Sequence, residues 1–192
     1  EWTYKYDLVG NLTQQTDAED NRICFYYDDL NRLTGKVFQK RSDGECIADP
    51  ADYPIEYKYD EGGEAANAIG RRTSMYDLSG STTWMYDERG RVTAETKVID
   101  NQSFTTEYEY DALDHVVATT YPDDEVINTT YNVAGQPVGI DNGSDSYASS
   151  VLYNASGQMT SLSLGNSIVS EYTYDPLSLR LRRHRVENLW NL

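Results

Sequence analysis

The chain of 192 residues contains few of the residues from which catalytic centres and membrane-spanning segments are usually built. It has two cysteines, two histidines and only three residues each of Phe, Met and Trp. No apolar run approaches the roughly 18 residues that a membrane-spanning helix requires, so we expect no membrane insertion. The first residues, Glu1-Trp2-Thr3-Tyr4, also lack the basic and then apolar pattern of a signal peptide.

Basic residues are scarce as well. Sixteen Lys and Arg stand against 32 Asp and Glu, which gives a formal net charge of -16. Proteins that bind nucleic acids or anionic membranes rely on cations to neutralise phosphates, so this charge argues against both kinds of partner. Disordered chains can also be strongly charged, but they lack the 12% aromatic content found here, of which 17 residues are Tyr. We therefore expect an ordered β-protein.

The two cysteines, Cys24 and Cys46, are too few for a disulfide framework or a four-ligand zinc site, and they lack Cys-x-x-Cys spacing. Two interpretations stay open. One is a single disulfide, which would close a loop of about 20 residues and contribute roughly 3 kcal/mol. The other, which we favour on sequence alone, is a pair of small buried apolar side chains.

Catalytic chemistry finds little support in the sequence. Nucleophilic triads and metal clusters need His, Cys and carboxylates in company, and the chain has only His115 and His184, without a His partner nearby in sequence. We predict structural or solvated positions for both histidines. The prediction is therefore that the chain is not an enzyme and has no catalytic residues, no metal site and no cofactor.

An internal repeat organises the chain. Tyr4-Lys5-Tyr6-Asp7-Leu8-Val9-Gly10 returns as Phe25-Tyr26-Tyr27-Asp28-Asp29-Leu30-Asn31 and as Trp84-Met85-Tyr86-Asp87-Glu88-Arg89-Gly90, and five weaker copies follow the same pattern. The second Tyr of each copy lies at 6, 27, 59, 86, 110, 131, 153 and 174, so the natural period is 21 or 22 residues, with insertions in the longer intervals. Composition hardly changes along the chain. We predict one repeat region over residues 1–192, with about eight repeats and no domain boundary.

Each copy is predicted to form a β-hairpin. Two Tyr at i and i+2 share one face of a strand, the following Asp can cap a tight turn, and a Gly three residues later tolerates positive φ. The next residues, such as Arg91-Val92-Thr93-Ala94-Glu95-Thr96, resume strand alternation. We assign structural functions to these motif residues: Tyr6, Asp7, Gly10, Tyr27, Asp28, Asn31, Tyr59, Asp60, Tyr86, Asp87, Gly90, Tyr110, Asp111, Tyr131, Gly135, Tyr153, Gly157, Tyr174 and Asp175.

Further turn residues lie between the copies, as at Asp100-Asn101 and Asp141-Asn142-Gly143. Each repeat therefore contributes two strands, and eight repeats give about sixteen. No segment of 11 or more residues has a clean helical period, and Glu64–Ala68 is the best short helical candidate. The predicted fold class is all-β: antiparallel hairpins that form a curling or spiral sheet. The insertion with Ser42-Asp43-Gly44 and Pro50 is predicted to be a surface loop.

The repeated pattern resembles that of the Rhs (YD-repeat) proteins of bacteria, a group that includes the C components of ABC toxin complexes and, in animals, the teneurins. The motifs that carry the resemblance are Tyr86-Asp87-Glu88-Arg89-Gly90-Arg91-Val92-Thr93, Tyr121-Pro122-Asp123-Asp124-Glu125 and Tyr174-Asp175-Pro176-Leu177. It spans Tyr4 to about Val186. The resemblance implies a strip of hairpins that spirals into a hollow shell around a toxic domain.

Members that enclose cargo are far longer and carry a self-cleaving aspartyl protease with an Asp-Pro-x-Gly stretch. Asp175-Pro176-Leu177-Ser178 is superficially similar, but its phase makes it the eighth repeat. No protease residues are therefore assigned, and the chain is interpreted as a segment of a YD-repeat shell.

The resemblance implies a structural shell segment that encloses and helps to deliver a toxic cargo domain. The expected partners are other YD repeats of the parent chain and the enclosed toxin polypeptide, and the expected location is secreted or on the bacterial cell surface. The alternative is a carbohydrate- or receptor-binding surface module with glycans as partners. Aromatic rings exposed on one face, rather than interlocked, would favour the alternative.

One segment departs from the acidic character of the chain. Leu179-Arg180-Leu181-Arg182-Arg183-His184-Arg185-Val186 contains four Arg and one His. Strand alternation would put Leu179 and Leu181 opposite Arg180 and Arg182. A strand whose basic face pairs with carboxylates of its neighbour is the simpler interpretation, and a surface that faces a cargo or partner is the alternative.

Overall fold

The computed structural model describes residues 1–40, 45–47 and 53–188. Nearly all regular structure in these residues is β. The strands are β1 Thr3–Tyr6, β2 Leu12–Thr16, β3 Arg22–Tyr27, β4 Leu33–Gln39, β5 Ile55–Tyr59, β6 Arg72–Asp77, β7 Gly80–Tyr86, β8 Val92–Ile99, β9 Gln102–Tyr110, β10 Val116–Thr120, β11 Val126–Tyr131, β12 Pro137–Asp141, β13 Ser146–Tyr153, β14 Met159–Leu164, β15 Ile168–Tyr174 and β16 Leu181–Asn188. One 3₁₀ turn, Gly63–Ala66, overlaps the short helical candidate.

The sixteen strands form one sheet in which each strand lies beside the next in the sequence, from β1 to β16. The strands pair antiparallel, as between β3 and β4 or between β15 and β16. The predicted all-β architecture of antiparallel hairpins is therefore confirmed. Much of the insertion that follows β4 lies outside the described residues, and so do the last four residues of the chain.

Contacts between Cα atoms divide the chain into two compact units, residues 1–105 and 106–192. The first unit contains β1 to β8 and the start of β9. The second contains the rest of β9 and the strands that follow. The sequence predicted a single repeat region without a boundary, and that statement remains a prediction.

A β-bulge interrupts each of the eight hairpins in which a repeat copy is followed by its outgoing strand, whether the motif is Tyr-Asp or Tyr-Asn. In the first, Lys5 pairs with Gln14 but Tyr6 pairs with Leu12, so Thr13 is an extra residue. The same shift occurs in the other seven, where the extra residues are Thr34, Thr73, Thr93, Val117, Val138, Thr160 and Arg182. The alternation predicted to resume after the turn, as for Arg91 to Thr96, is therefore interrupted by one extra residue, Thr93 in that strand.

In the last hairpin the bulge changes the predicted faces of the basic segment. Leu179 and Arg180 belong to the turn and Arg182 is the extra residue, so the expected opposition of Leu179 and Leu181 to Arg180 and Arg182 is wrong. The predicted match of a basic strand face with carboxylates of its neighbour is limited in this register to Glu171.

The threonine of the motif has a direct function in this bulge. The hydroxyl of Thr13 donates to the carbonyl oxygen of Lys5 at 3.2 Å, and the hydroxyl of Thr160 donates to that of Leu152 at the same distance. Thr73 makes the corresponding bond to Lys58 at 3.3 Å. The side chain thus satisfies a backbone acceptor beside the point where the ladder is disrupted.

The described residues bury very few large apolar side chains. The buried apolar residues among them are Cys24, Ala68, Ala94, Ala148 and Val151, and buried polar residues such as Gln14, Thr16 and Ser74 outnumber them. A sheet with so small a core gains little from the burial of apolar surface, which contributes about 25 cal/mol per Å². Its stability must depend more heavily on backbone ladders and on polar contacts between neighbouring hairpins.

The two cysteines are paired, so the interpretation that we favoured from the sequence is wrong. Cys24 on β3 and Cys46 form a disulfide with a Cα–Cα distance of 5.8 Å. Two further contacts hold the same short segment against the sheet: Lys5 Nζ lies 3.0 Å from Glu45 Oε2, and the Tyr26 hydroxyl donates to the carbonyl oxygen of Ile47 at 2.8 Å. The proximity that permits the disulfide arises from the fold and leaves no signal in the spacing of the cysteines.

Candidate functional site

The motif residues lie in the turns that join each odd-numbered strand to the following even-numbered strand. We call these the tip turns. In the fourth, the amide of Asp87 donates to the Arg91 carbonyl at 3.0 Å, and the amide of Gly90 donates to the Asp87 carbonyl at 2.9 Å. Asp87 Oδ1 accepts the backbone N–H groups of Arg89 and Arg91, both at 2.9 Å. The carboxylate therefore organises the whole turn.

The first and fifth residues of a tip turn also pair through their side chains. In this turn the second carboxylate oxygen of Asp87 accepts from Arg91 Nε at 2.6 Å. In six of the eight tip turns the side chains match in this way: an Asp pairs with a side-chain donor, or an Asn pairs with a Gln. The pairs are Asp7–Asn11, Asp28–Arg32, Asp87–Arg91, Asp111–His115, Asn132–Gln136 and Asn154–Gln158. Asp17 and Asn21 make the same pair in the turn between β2 and β3, which is not a tip turn.

The pairing of first and fifth residues was not predicted, although six of the eight turns carry a signal of it in the sequence. The fifth residue was interpreted only as the start of the outgoing strand. Its matched variation with the first residue, Asp with a donor and Asn with Gln, is visible in the printed sequence.

Positive φ occurs near the end of each tip turn. The fourth residue has φ between 60° and 96° in six of the eight turns, at Gly10, Asn31, Gly90, Asp114, Gly135 and Gly157. Asp114, with φ 69°, shows that an Asp also adopts this conformation. The eighth turn is one residue longer, because the Asp175 amide donates to the carbonyl of Arg180. Its residue of positive φ is therefore the fifth, Leu179, with φ 57°.

The third tip turn contains a long insertion. Asp60 has positive φ itself, its amide donates to the Arg71 carbonyl at 3.1 Å, and the Gly70 amide donates to Asp60 Oδ1 at 2.6 Å. Gly63 follows as the fourth residue, with φ 59°, and its amide donates to the Asp60 carbonyl at 3.0 Å. Arg71 therefore occupies the place of the fifth residue, after an insertion that keeps the ends of the turn together.

Tyrosine hydroxyls link successive tip turns. The second Tyr of a copy donates to the backbone carbonyl of the residue that begins the outgoing strand of the preceding hairpin. These bonds join Tyr27 to Leu12, Tyr59 to Leu33, Tyr86 to Arg72, Tyr131 to Val116, Tyr153 to Pro137 and Tyr174 to Met159, at 2.5 to 2.9 Å. We call this series the tyrosine ladder. Tyr110 lies at the same position on β9, in register with Val116.

Exposure differs between the first two copies. Tyr6 on β1 is 62% exposed, whereas Tyr27 on β3, whose hydroxyl is bound to Leu12, is only partly exposed.

The fifth residue of one tip turn lies against the next Tyr. The Arg32 guanidinium lies 4.4 Å from the centre of the Tyr59 ring, and the His115 ring stacks on Tyr131 with centroids 4.6 Å apart. Some of these side chains also bond to the next turn: Arg32 Nη1 lies 2.8 Å from Asp60 Oδ2, and Gln158 donates to the Leu179 carbonyl at 2.7 Å. The fifth residue therefore connects its own turn to the following one.

The side chain of the fifth residue also limits which residue type can occupy the fourth position of the next tip turn. A Cβ atom built on Gly135 would lie 2.7 Å from His115 Nε2, closer than real Cβ contacts allow. Gly135 is therefore required twice, once for its φ of 75° and once for the close approach of the preceding turn.

In the first unit, aromatic rings and cations alternate along the sheet. Lys36 Nζ lies 5.8 Å from the Phe25 ring and 5.7 Å from the Tyr57 ring. Arg72 lies 5.7 Å from the Tyr57 ring and 4.3 Å from that of Trp84, whose indole N–H donates to Glu95 at 2.9 Å. The ring faces in this row are occupied by cations of the same chain.

Hydrogen bonds in the turns lower the pKa of the repeated carboxyl groups. The His115 side chain is the largest cause for Asp111, and the Asn21 side chain is the largest for Asp17. The Arg32 side chain is the largest cause of the lowered pKa of Asp60. The direction is the one expected when the charged form of a carboxyl group accepts several bonds.

The chemistry of the site is that of a structural connection. Among the residues that the structure describes, no group of three or more His, Cys, Asp and Glu could hold a metal ion. Those residues also contain no helix that is both long and apolar enough to cross a membrane.

The backbone of the chain is similar to those of solved toxin-complex structures. A crystal structure of TcdB2-TccC3 matches with a TM-score of 0.83 and 20% identity, over 99% of this chain and 10% of the matched chain. The TcdB2-TccC3-Cdc42 structure and a Photorhabdus luminescens Tc holotoxin pore with a mutated TccC3 match at a TM-score of 0.82, with the same identity and coverage. No family model matches the sequence. At this identity the likeness shows a shared fold, and the chain spans about a tenth of the chains that it matches.

Replacement of Tyr131 by Phe tests the tyrosine ladder. The variant keeps the ring on His115 but removes the hydroxyl that donates to Val116 at 2.9 Å. We expect the free energy of unfolding to fall by about 0.5–1.5 kcal/mol, measured by urea titration with circular dichroism. Tyr121→Phe is the matched control, because Tyr121 is 45% exposed in the turn between β10 and β11, away from the tip turns. Equal losses in the two variants would contradict the ladder.

Replacement of Gly135 by Ala tests the close approach between tip turns. Gly143→Ala is the control, because Gly143 also has positive φ but has no atom within 4 Å of a built Cβ. Both variants should lose about 1 kcal/mol from backbone strain. Gly135→Ala should lose about 1 kcal/mol more, because the His115 ring must move. The same unfolding titration measures both, and a loss at Gly135 no larger than at Gly143 would show that the contact has no energetic effect.

The lowered carboxyl pKa values predict a loss of stability in acid. A carboxyl group whose pKa is lower in the folded than in the unfolded chain stabilises the fold above its ordinary value, 3.8 for Asp111. Protonation removes that stabilisation as the pH falls through 3.8 towards the lowered value. We expect the free energy of unfolding to be flat near neutral pH and to decrease below about pH 4. In Asp111→Asn this decrease should be shallower, and an unchanged pH profile in that variant would contradict the assignment.

Proposed function

We propose that the chain is a structural segment of an Rhs or YD-repeat shell, which encloses a toxic cargo domain and helps to deliver it. The observation that supports this most directly is the tyrosine ladder, because it couples each hairpin to the one before it at a fixed position. A wall built from repeated hairpins needs such a coupling. The likeness of the fold to toxin-complex structures agrees with this function.

The same proposal covers partners, location and chemistry. The partners would be neighbouring YD repeats of the parent chain and an enclosed toxin polypeptide, in a protein that is secreted or displayed on a bacterial surface. The segment would act as a barrier with no catalytic turnover, and it would require no cofactor.

The arrangement of the aromatic rings weighs against glycan binding as the main function. Sugars stack on open ring faces. In the first unit, however, the rings of Tyr57 and Trp84 lie against Arg72, and that of Phe25 lies near Lys36. The aromatic side chains there are interlocked within the sheet. The exposed aromatic residues of this unit do not share one strand: Trp2, Tyr4 and Tyr6 lie on or beside β1, Phe38 on β4, Tyr76 on β6 and Phe104 on β9.

Limited proteolysis of the full-length parent protein tests the proposal. If the segment is part of a closed wall, the cargo domain should resist protease in the native protein, and mass spectrometry should recover it intact. The double variant Tyr86→Phe, Tyr131→Phe should shorten the half-life of the cargo domain, because two links of the tyrosine ladder are lost. Tyr121→Phe should leave it unchanged. Digestion of the cargo domain at the rate of the isolated domain would contradict enclosure.

A further inference from the structure

The turn between β12 and β13 contains the only Asn-Gly dipeptide of the sequence, Asn142-Gly143. The Asn142 amide closes the turn by donating to the Asp145 carbonyl at 3.0 Å, and Gly143 is exposed, with φ 84°. An Asn side-chain amide can be attacked by the backbone nitrogen of the next residue, and a following Gly favours this because no side chain obstructs the approach. The reaction needs a base for the attacking N–H, stabilisation of charge on the side-chain oxygen, and a proton for the ammonia that leaves.

The attacking N–H has a carboxylate beside it. The Gly143 N–H donates to Asp141 Oδ1 at 2.8 Å, and the Asn128 side-chain amide donates to the same oxygen at 3.3 Å. A group that accepts a hydrogen bond from the proton to be removed meets the geometric requirement for a general base. Asp141 therefore lies where the reaction needs its base.

The side-chain oxygen of Asn142 has two backbone donors. It accepts the N–H of Ser144 at 3.1 Å and the N–H of Asp145 at 2.7 Å. Attack on the Asn142 Cγ moves an electron pair onto this oxygen. Donors that are already in place where negative charge develops stabilise the transition state, as in the oxyanion holes of acyl transfer.

The nitrogen that must leave lies beside a hydroxyl group. Asn142 Nδ2 donates to the Tyr147 oxygen at 3.0 Å and to Glu125 Oε1 at 3.2 Å, and the Tyr147 hydroxyl itself donates to Glu125 Oε1 at 2.6 Å. The hydrogen bond to Glu125 raises the pKa of Tyr147, so the hydroxyl keeps its proton at neutral pH. Tyr147 can therefore protonate the departing nitrogen.

We propose that Asn142 is a site of self-modification, at which the chain converts its own side-chain amide to a carboxylate. The Gly143 nitrogen bonds to the Asn142 Cγ and gives its proton to Asp141, while the Cγ–Nδ2 bond breaks and Tyr147 protonates the ammonia that leaves. The proton on Asp141 returns to Tyr147 through solvent. One water then opens the resulting succinimide to Asp or to isoaspartate, so the step consumes water, releases ammonia and needs no oxidant or reductant.

The modification would change the contact between two neighbouring turns. Asn142 Nδ2 now bonds to Glu125, which belongs to the turn between β10 and β11. The product has a carboxylate in place of this donor, so two like charges would face each other. Isoaspartate would also lengthen the backbone of the turn by one carbon. The reaction is therefore an irreversible step that loosens this part of the second unit, and the inference does not depend on the shell function.

A second asparagine of the same unit provides an internal reference. Asn154 Oδ1 also accepts two backbone N–H groups, from Ser156 at 2.9 Å and from Gln158 at 3.0 Å. Ala155 follows it, however, and its Nδ2 donates to the Gln158 side-chain oxygen, which has no proton to give. Asn154 should therefore not react where Asn142 does.

Incubation in water enriched in heavy oxygen, followed by peptide mass spectrometry, tests the proposal. At neutral pH the peptide with Asn142 should exchange its amide nitrogen for one heavy oxygen, and electron-based fragmentation should identify isoaspartate. We expect conversion in the native protein to be about tenfold or more faster than in the same protein unfolded in guanidinium chloride. Conversion that is equal or slower in the native protein would overturn the proposal, and so would equal conversion of Asn154.

Two variants test the assigned groups. Asp141→Asn can still accept the Gly143 N–H but is no base, and Tyr147→Phe has no proton to give, so each should slow the conversion of Asn142 by about tenfold or more. Asp145→Asn is the matched control, because only its backbone N–H contacts the Asn142 side chain. Circular dichroism verifies that each variant folds, and the comparison of native with unfolded protein decides the matter if one does not. Unchanged rates in both variants, or equal slowing in Asp145→Asn, would show that these groups do not drive the reaction.

Discussion

The bond from a tyrosine hydroxyl to the backbone carbonyl of the preceding hairpin is the interaction on which the rest of the structure depends. It joins residues 14 to 26 positions apart in sequence, as in Tyr86–Arg72 and Tyr59–Leu33. A sheet of hairpins has many equivalent registers, and a shift by one residue would turn every side chain to the other face. The ladder opposes such a shift because a slip would break the bond from each hydroxyl to its particular carbonyl.

The small apolar core makes this constraint more important. With Cys24 and Ser74 as the largest fully buried side chains, packing alone cannot select one arrangement of the strands. The selection is made by polar side chains at the tip turns, where Asp and the fifth residue close one turn and the fifth residue contacts the next. Stability is therefore coupled to the ionisation of the repeated Asp residues, as the lowered pKa of Asp111 indicates.

The sequence predicted the fold class well, because the 21- or 22-residue period and the Tyr-x-Tyr pattern are local signals. It did not predict the bulge at Thr93, since two-residue alternation looks the same with and without an extra residue until the partner strand is known. The disulfide between Cys24 and Cys46 was not predicted either, because the distance between the two cysteines depends on the fold and leaves no mark in their spacing. The residue types of Asp87 and Arg91 are visible in the sequence, but only the geometry of the turn shows that their side chains bond to each other.

The third tip turn has a consequence for how such a chain can change. Ten residues separate Asp60 from Arg71, yet Tyr59 still pairs with Arg72 and Lys58 with Ser74, as in turns without an insertion. The sheet therefore does not sense the length of the segment between these two residues. A tip turn can therefore carry an additional segment while the two strands that it joins keep their partners. The tip turns are the positions at which related chains can gain new surfaces without a change in the sheet.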